Sequence, residues 1–330
     1  QILQDVILFT KSNPKIPNIT VNFGAYLIPA SSSDFEEAIA RAKLACKEAK
    51  KTQKAYLAWD YNLQNIHDTK ITLQKSFQDG IEKNNFFLEF QPIIDISTGT
   101  IIAGEVLSRL SKDSNVIAPS DFVAAMQGQD IEKEFDYFVF EKTCQWISMH
   151  EDTCKYLKYI SVNFSRNTLA QKGFSDKIIE IIHTYHISSS FVAIEIIENK
   201  CAVSEGTNYI SQNLQQLKQA NICILLDDFG EGYTSFDDLK NYPVDIIKIG
   251  KTITDNLHTQ IGLRIFKSMM NIARNMEVSV VCEGAETLEQ IEIIRSQGVQ
   301  YVQGFYYYRP VGSSEFEKAI ANNTIKQGEN

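Results

Sequence analysis

Residues 222–249 read ICILLDDFGEGYTSFDDLKNYPVDIIKI and contain the pattern that decides the fold. They hold two short apolar runs, ICILLD at 222–227 and VDIIKI at 244–249, separated by a stretch long enough for a loop and a short helix. Each run is apolar almost throughout, which is typical of a strand that a parallel sheet buries on both faces. Each also has charged side chains at its end, namely Asp227 followed by Asp228 in the first run and Lys248 in the second.

The same alternation of apolar runs and helical stretches continues on both sides of this segment. Further runs of this kind are FFLEFQPII (86–94), TIIAGEVL (100–107), YISVNF (159–164), FVAIEI (191–196), VSVVCE (278–283) and VQYVQG (299–304). Eight candidate strands that alternate with helices over about 250 residues predict an α/β chain closed into a (β/α)8 barrel.

Polar side chains lie at the ends of these candidate strands. They are Glu105, Asn163, Glu195, Asp227, Asp228, Lys248, Glu283 and Gln303. In a barrel of parallel strands these ends meet at one mouth, so we expect the side chains to converge. Clustered carboxylates are costly to bury unless cations compensate them, and oxygen ligands suit hard ions such as Mg²⁺ or Mn²⁺. The adjacent carboxylates Asp227 and Asp228 predict two metal ions about 4 Å apart, an arrangement used to hydrolyse phosphodiesters.

Lys248 allows two interpretations. Beside metal ions, its ammonium group would hold the attacking water, or its amine would deprotonate that water. Alternatively, Lys248 would form a Schiff base in an aldolase-like barrel. Schiff-base chemistry needs no excess of carboxylates, so the metal-dependent interpretation is favoured.

Composition excludes several classes of protein. The 330 residues are 44% hydrophobic and 22% charged, as in an ordinary globular protein with room for about two domains. A net charge of −9 argues against a nucleic acid polymer as partner, because the chain repels phosphate at long range. None of the six cysteines forms a CxxC pair, which favours reduced intracellular thiols. With no apolar run of about 18 residues, no membrane segment is expected in this chain.

The first part of the chain has a different pattern. It predicts a strand at 18–27, a helix at 34–51 with Asp34 as N-cap and Glu37 at the capping-box position, and a short strand near 55–59. A helical pattern follows at 69–83. We therefore expect a small α+β domain at 1–65 and the barrel domain at 66–330.

At the strand-end motifs the sequence resembles the EAL-domain phosphodiesterases, which hydrolyse cyclic di-GMP. The resemblance covers roughly residues 70–320 and has Val106 in place of the alanine of the signature segment. The matching segments are FQPII (90–94), GEVLSRL (104–110), VNFS (162–165), EIIE (195–198), DDFGEGYTS (227–235), DIIKI (245–249), EGAET (283–287) and QGFYYYRP (303–310). The resemblance implies a barrel that converts cyclic di-GMP into linear pGpG.

The resemblance also implies roles for individual residues. Glu105, Asn163, Glu195 and Asp227 would ligate a first Mg²⁺ or Mn²⁺ ion, and Asp227, Asp228 and Glu283 a second. Lys248 would contact the catalytic water, Glu198 would steady the DDFG loop, and Glu286 and Gln303 would support the metal and phosphate site. Gln91, Leu107 and Arg109 would contact the ligand, and the Arg109 guanidinium suits a pair of phosphate oxygens. Ca²⁺ would permit binding without efficient turnover.

Three residues depart from the family pattern. Ile197 stands where the family usually has Thr, Gly250 where it has Asp, and Glu231 where it has a small hydroxyl residue. These changes motivate a second hypothesis, in which the pocket is weakly active or inactive and acts as a cyclic di-GMP receptor. A third hypothesis is a scaffold that acts through its outer helices without a nucleotide.

The first 60 residues resemble the C-terminal half of a GGDEF domain. The matching segments are NITVNFGAYLIP (18–29) and DFEEAIARAKLACKEAKK (34–51), and no GGDEF-like signature occurs in the chain. The resemblance implies a truncated or degenerate regulatory domain without cyclase activity. It also implies a homodimer through the EAL domain. We expect a cytoplasmic location, either for the chain alone or as the cytoplasmic part of a longer, membrane-attached signalling protein.

Overall fold

The computed structural model describes residues 21–29, 34–52, 54–65, 85–112, 115–117, 130–197, 207–230 and 236–322, together with positions 68, 71, 79 and 80. The chain divides into two compact units, Gln1–Asp79 and Gly80–Asn330. The predicted domain boundary at residues 65 and 66 lies inside the first unit, and most of the helix expected at 69–83 lies outside the described residues. The assignment of 1–65 and 66–330 to two domains stays a prediction.

The described part of the first unit includes a two-stranded parallel sheet and a 17-residue helix. Strand β1 (Phe23–Ala25) pairs with β2 (Tyr56–Ala58), and helix α1 (Phe35–Lys51) connects them. The N-cap expectation is confirmed, since the Asp34 carboxylate accepts a 2.9 Å hydrogen bond from the backbone N–H of Glu37. Gly24 lets the helix approach the strand closely, because a Cβ there would lie 2.1 Å from the backbone nitrogen of Cys46.

The second unit is built on a closed barrel. Its strands are β3 (Phe86–Asp95), β4 (Thr100–Lys112), β5 (Asn115–Ile117), β6 (Tyr159–Phe164), β7 (Val192–Ile196), β8 (Cys223–Phe229), β9 (Ile246–Ile249), β10 (Ser279–Glu283), β11 (Tyr301–Gln303) and β12 (Val311–Gly312). Eight of them close the ring in the order β3, β4, β6, β7, β8, β9, β10, β11 and back to β3. The predicted (β/α)8 barrel is therefore confirmed, with β5 and β12 as short additions at β4 and β3.

One strand does not run as the sequence pattern suggested. Strand β3 is antiparallel to both of its barrel neighbours, β4 and β11, whereas the other barrel strands are mutually parallel. The reason is the short turn between Asp95 and Thr100, because parallel neighbours need a crossover of a dozen or more residues. Gly99 adopts φ +75° in this turn, and the Asp95 carboxylate accepts a 2.8 Å hydrogen bond from the backbone N–H of Ser97.

Among the described residues, helices fill the connections between the parallel strands, and the last helix follows β12. They are α2 (Asp130–Met149), α3 (Glu151–Cys154), α4 (Arg166–Leu169), α5 (Phe174–Thr184), α6 (Thr207–Gln219), α7 (Phe236–Asn241), α8 (Lys251–Asp255), α9 (Gln260–Asn275), α10 (Leu288–Ser296) and α11 (Ser313–Asn322). Among the described residues, no helix combines the length and apolarity needed to cross a membrane.

An apolar layer fills the barrel beneath the polar strand ends. Its buried members are Ile93, Ala103, Tyr159, Ala193, Leu225, Ile246 and Val281. Side chains alternate between the two faces of a strand, so the residue two positions further on points into the barrel as well. For Ala103, Ala193 and Val281 that residue is a glutamate, and for Leu225 and Ile246 it is an aspartate and a lysine. The two-residue period therefore places the predicted site directly above the core.

Candidate functional site

Lys248 lies at the centre of the polar layer. It projects from β9, is completely buried, and its Nζ donates hydrogen bonds to Glu195 Oε1 and, at 2.8 Å, to Glu105 Oε2. Its Nζ also lies 2.5 Å from Glu283 Oε1 and 3.7 Å from Asp227 Oδ1. One ammonium group thus contacts carboxylates from four other barrel strands.

Glu105 links the carboxylates around Lys248 to the neutral side-chain amides of Asn163 and Gln303. Its Oε1 accepts a 2.7 Å hydrogen bond from Asn163 Nδ2, and its Oε2 accepts one of 2.6 Å from Gln303 Nε2. Gln303 Nε2 also donates to Gln91 Oε1 at 3.1 Å. Strand register accounts for these contacts, because Gln91 is directly opposite Glu105 across β3 and β4. The antiparallel direction of β3 therefore still brings Gln91 into the polar layer.

The end of β8 supplies two adjacent carboxylates. Asp228 adopts a left-handed backbone with φ +46°, and its N–H donates a 2.9 Å hydrogen bond to Asp227 Oδ1. Non-glycine residues rarely adopt this conformation, and it lets two consecutive carboxylates face the same site. Each of two groups of three carboxylates offers oxygens within 4.8 Å of one another. The groups are Glu105, Glu195 and Glu283, and Asp227, Asp228 and Glu283.

Burial and the charges of neighbouring groups shift the pKa values of the residues in this cluster. Burial, together with repulsion from Glu105, raises the pKa of Glu195 well above its ordinary value. Burial likewise raises the pKa of Glu283 to about 8, against the opposing attraction of Lys248. Burial also disfavours ionisation of Glu105, but Lys248 and the hydrogen bonds to this carboxylate hold its pKa below the ordinary value. Burial disfavours the charged form of Lys248 too, but the surrounding carboxylates raise its pKa well above normal.

The donor set fits divalent metal ions. With all five carboxylates ionised, as metal coordination requires, and Lys248 protonated, four negative charges remain, which equals the charge of two divalent cations. Among the described residues, three buried oxygens of the predicted site residues have no hydrogen-bond partner, whereas buried polar atoms normally have one. These atoms are Asn163 Oδ1, Glu195 Oε2 and Gln303 Oε1. All of the side-chain atoms that would ligate a metal ion here are oxygens, the ligand type that Mg²⁺ and Mn²⁺ prefer.

A cavity of about 290 Å³ opens above the cluster. Gln91, Glu105, Leu107, Asp227, Asp228, Glu283, Glu286 and Gln303 are among its lining residues, so most of the predicted site residues share one space. Leu107 is one of these and supplies an apolar wall, as expected of a ligand contact. Glu286 does not touch the buried carboxylates by any described hydrogen bond; its Oε1 accepts a 2.7 Å hydrogen bond from Lys251 Nζ.

Two further side chains line this cavity that the sequence patterns did not single out. Lys251 opens α8, and its stem lies over Gly284, where a Cβ at φ +67° would come within 2.4 Å of Lys251 Cγ. Phe305 is 41% exposed at the mouth, and the Arg309 guanidinium stacks 4.3 Å from its ring centroid. Each stands two residues after the last residue of a strand, so a search that included the first turn after each strand would have found both.

Of the predicted site residues that the structure describes, Arg109 belongs to neither the cavity lining nor the buried polar layer. Arg109 lies further along β4 than Leu107, its Nε is 2.9 Å from Glu89 Oε2, and it does not contribute to the cavity lining among the described residues. Glu198 lies outside the described residues, as does Glu231. Their predicted roles stay predictions. Of the other departures, Gly250 is the N-cap of α8 and gives that helix no side-chain cap.

The sequence and the fold were compared with known proteins. The EAL domain profile matches residues 74–310. The chain is 31% identical to the probable cyclic di-GMP phosphodiesterase PdeA of Escherichia coli over 243 residues, which is 73% of this chain and 32% of that protein. The chain spans less than half the length of the first curated relatives that it matches.

Solved structures share the fold. An EAL domain protein from Listeria monocytogenes aligns with a TM-score of 0.66 and 27% identity, over 76% of this chain and 98% of that one. The PaMucR phosphodiesterase in complex with c-di-GMP aligns with a TM-score of 0.67 and 23% identity, over 74% of this chain and 99% of that one. The profile match at 74–310 includes all eight strands of the barrel and most of the chain's length. It follows that this chain belongs to the EAL domain family.

Proposed function

We propose that the chain is a metal-dependent phosphodiesterase that hydrolyses cyclic di-GMP to linear pGpG. The observation that carries the proposal is the pair of carboxylate groups that share Glu283, with buried Lys248 in contact with both. The similarity to PdeA, a probable cyclic di-GMP phosphodiesterase, supports the choice of substrate.

The proposal places two metal ions at this site. Glu105, Asn163, Glu195 and Asp227 would hold one Mg²⁺ or Mn²⁺ ion, and Asp227, Asp228 and Glu283 the other. In support, Glu105 and Glu195 offer oxygens within 4.8 Å of each other, as do the three residues of the second set. When bound, these ions would supply the Lewis acidity that activates water and neutralises charge on the reacting phosphate. Ca²⁺ would be bound in their place without efficient turnover.

The protein's own groups bind and orient the reactants. Carboxylates from several strands hold Lys248 Nζ in a fixed place. When metal ions bind those carboxylates, its N–H groups would become free to position the attacking water. Gln303 fixes the orientation of Glu105 by a 2.6 Å hydrogen bond. Gln91 and Leu107 line the cavity that would take the substrate, with Glu286 at its rim. In our proposal Arg109 turns from Glu89 to a phosphate oxygen, and Glu198 supports the segment after Asp228.

A second candidate function is a cyclic di-GMP receptor with little or no turnover. Gly250 favours it, because at the end of β9 this residue offers no side chain to the site where the family usually has a carboxylate. Ile197 favours it as well, since its side chain has no hydroxyl to donate near Glu195. The five converging carboxylates favour the enzyme instead, because they can ligate metal ions and a receptor has no need of them.

The discriminating experiment is a turnover assay. The purified chain is incubated with cyclic di-GMP and Mn²⁺, Mg²⁺ or Ca²⁺, with EDTA as control, and the nucleotides are separated by chromatography. We expect pGpG with Mn²⁺ or Mg²⁺ and intact substrate with Ca²⁺ or EDTA. Intact cyclic di-GMP in every sample, together with measurable binding, would identify a receptor. In that case Gly250→Asp with Ile197→Thr should restore hydrolysis.

A ligand variant tests the metal assignment directly. Asp227→Asn should lower kcat at least about 100-fold, which corresponds to roughly 3 kcal/mol of transition-state stabilisation. Asp176→Asn, an exposed carboxylate on α5, is the matched control and should leave kcat unchanged. Full activity of the Asp227→Asn variant would refute the two-metal assignment.

We further propose that the protein forms a homodimer through the barrel domain. Ile261 and Ile265 support this, since they lie one turn apart on α9 and are 72% and 46% exposed. Sedimentation of an Ile261→Asp variant tests it, and an unchanged oligomeric state would exclude this surface. The similarity of 18–51 to a GGDEF domain supports a regulatory role for the first part of the chain. Its action would be cytoplasmic, alone or within a longer membrane-attached protein.

A further inference from the structure

A buried ion pair outside the cavity joins two helices that follow the site strands. The Arg166 guanidinium donates two hydrogen bonds to the Asp238 carboxylate, from Nη1 to Oδ1 and from Nη2 to Oδ2, each 2.8 Å long. The two side chains are only 12% and 8% exposed. Such a two-bond contact fixes orientation as well as distance, which a single lysine contact does not.

Hydrogen bonds hold Arg166 and its helix in a fixed position. Arg166 opens α4, three residues after Asn163 at the end of β6. Ser165 is the N-cap of α4, and its backbone N–H donates a 3.0 Å hydrogen bond to Asp136 Oδ2 on α2. Thr168 Oγ1 donates to the same Asp136 oxygen at 2.5 Å. The short helix α4 is therefore held to its neighbour α2 independently of Asp238.

Asp238 follows the proposed metal ligands Asp227 and Asp228 along the chain. Strand β8 ends at Phe229, directly after Asp227 and Asp228, and Asp238 lies on α7, the next described helix. The backbone at this exit is unusual, with Asp228 at φ +46° and Gly230 at φ +98°. A left-handed non-glycine residue is unfavourable on its own, so the structure on both sides must hold it in place. On one side, the pairing of Phe229 with Ile249 across β8 and β9 does so.

The chain that follows Gly230 must also be held in place if the backbone at Asp228 is to keep its conformation. The buried Asp238 carboxylate is fixed at two oxygens by Arg166, so α7 cannot shift along α4 without breaking charged hydrogen bonds in a place that excludes water. This contact links the end of β6, which carries Asn163, to the chain segment that follows Asp228. The contact thus lies outside the proposed metal ligands and bears on the second metal position through the chain that follows Asp228.

We propose that Arg166 and Asp238 are positioning residues that hold Asp227 and Asp228 in place for the second divalent ion. The inference rests on the proposed function for its metal ions, but it concerns metal binding and not the substrate. It therefore makes a prediction that can be measured without cyclic di-GMP.

The test is a calorimetric Mn²⁺ titration of the chain without nucleotide, for the wild type and three variants. Arg166→Lys keeps the charge but loses the two-bond geometry, and Asp238→Asn keeps the shape but loses the charge. Each should weaken one of the two Mn²⁺ affinities about 10-fold, as loss of a supporting contact around metal ligands typically does. Lys218→Met is the matched control, because it removes an ion pair to Asp245 at the opposite end of the barrel and should leave the titration unchanged.

A double variant separates positioning from simple stability. Arg166→Met with Asp238→Leu replaces the pair by apolar groups, which should preserve folding as judged by circular dichroism and thermal unfolding. We expect this variant to fold but still bind one Mn²⁺ ion more weakly, and its kcat to recover at high Mn²⁺ concentration. Normal Mn²⁺ affinities in the folded double variant and in Arg166→Lys would overturn the inference, as would a wild type that binds fewer than two Mn²⁺ ions. Two bound Mn²⁺ ions without hydrolysis of cyclic di-GMP would instead refute the proposed function and leave the positioning role intact.

Discussion

Asp136→Asn should make the protein more stable above neutral pH. Burial raises the pKa of Asp136 to about 7, and the hydrogen bonds from Thr168 and Ser165 offset only part of that effect. The nearby negative charge of Glu132 adds to the increase. The folded state therefore retains a proton on Asp136 at pH values where the unfolded chain has lost it.

The sign and size follow from this difference in proton binding. The pKa is higher in the folded state than its ordinary value of 3.8, so the contribution of Asp136 to stability is complete below about pH 4 and is lost as the pH rises to about 7. The difference between a pKa of 3.8 and one of about 7 corresponds to roughly 4 kcal/mol of stability. An asparagine keeps a carbonyl oxygen that can accept the same two hydrogen bonds, but it carries no charge to be buried.

Urea denaturation between pH 5 and pH 8, followed by circular dichroism, measures this effect. EDTA in all samples prevents metal binding from adding its own pH dependence. The difference in unfolding free energy between Asp136→Asn and the wild type should grow in favour of the variant across this range, by roughly 3 kcal/mol, because about two pH units of the titration lie between pH 5 and the folded-state pKa of about 7. Asp176→Asn on the exposed face of α5 is the control and should follow the wild type. If the unfolding free energies of Asp136→Asn and the wild type changed with pH in parallel, the buried carboxyl would not be protonated in the folded state, and the reasoning would be refuted.

Two further predictions concern catalysis. Lys248→Met should lower kcat at least about 100-fold, because the water loses its positioning group, while binding of cyclic di-GMP in Ca²⁺ persists; comparable losses in kcat and in binding would contradict a role confined to the water. Lys251→Ala should raise KM about 10-fold with little change in kcat, since the half-exposed ammonium 2.7 Å from Glu286 is placed to meet an anionic substrate at the mouth. Lys177→Ala on α5 serves as its control in steady-state kinetics, and an unchanged KM for Lys251→Ala would exclude that contact.

The candidate site could largely be predicted because strands impose a two-residue period. The apolar runs identify strands buried on both faces, and the polar residue after each run must face either the barrel interior or solvent. Glu105, Glu195 and Glu283 each stand two positions beyond a core residue, so one simple rule puts all three in one layer. The barrel and the residues of its polar layer follow from these local patterns.

The direction of β3 and the partners of individual side chains could not be predicted in the same way. The strand pattern is the same for either direction, and only the short turn after Asp95 reveals that β3 is antiparallel. Arg109 illustrates the limit for side chains: its position in the signature segment suggests a phosphate contact, but in the fold Glu89 on the neighbouring strand is close enough to pair with it.

The sequence alone therefore determined which residues form strands, which of them carry oxygen ligands, and that these residues face a common mouth. Only the tertiary structure decided that Lys248 contacts four carboxylates at once, and that Arg166 meets Asp238 across 72 positions of the chain. The physical reason is that propensity and periodicity act over a few neighbouring residues. Contacts between remote residues depend on strand register and helix packing, which are set by the closure of the whole barrel.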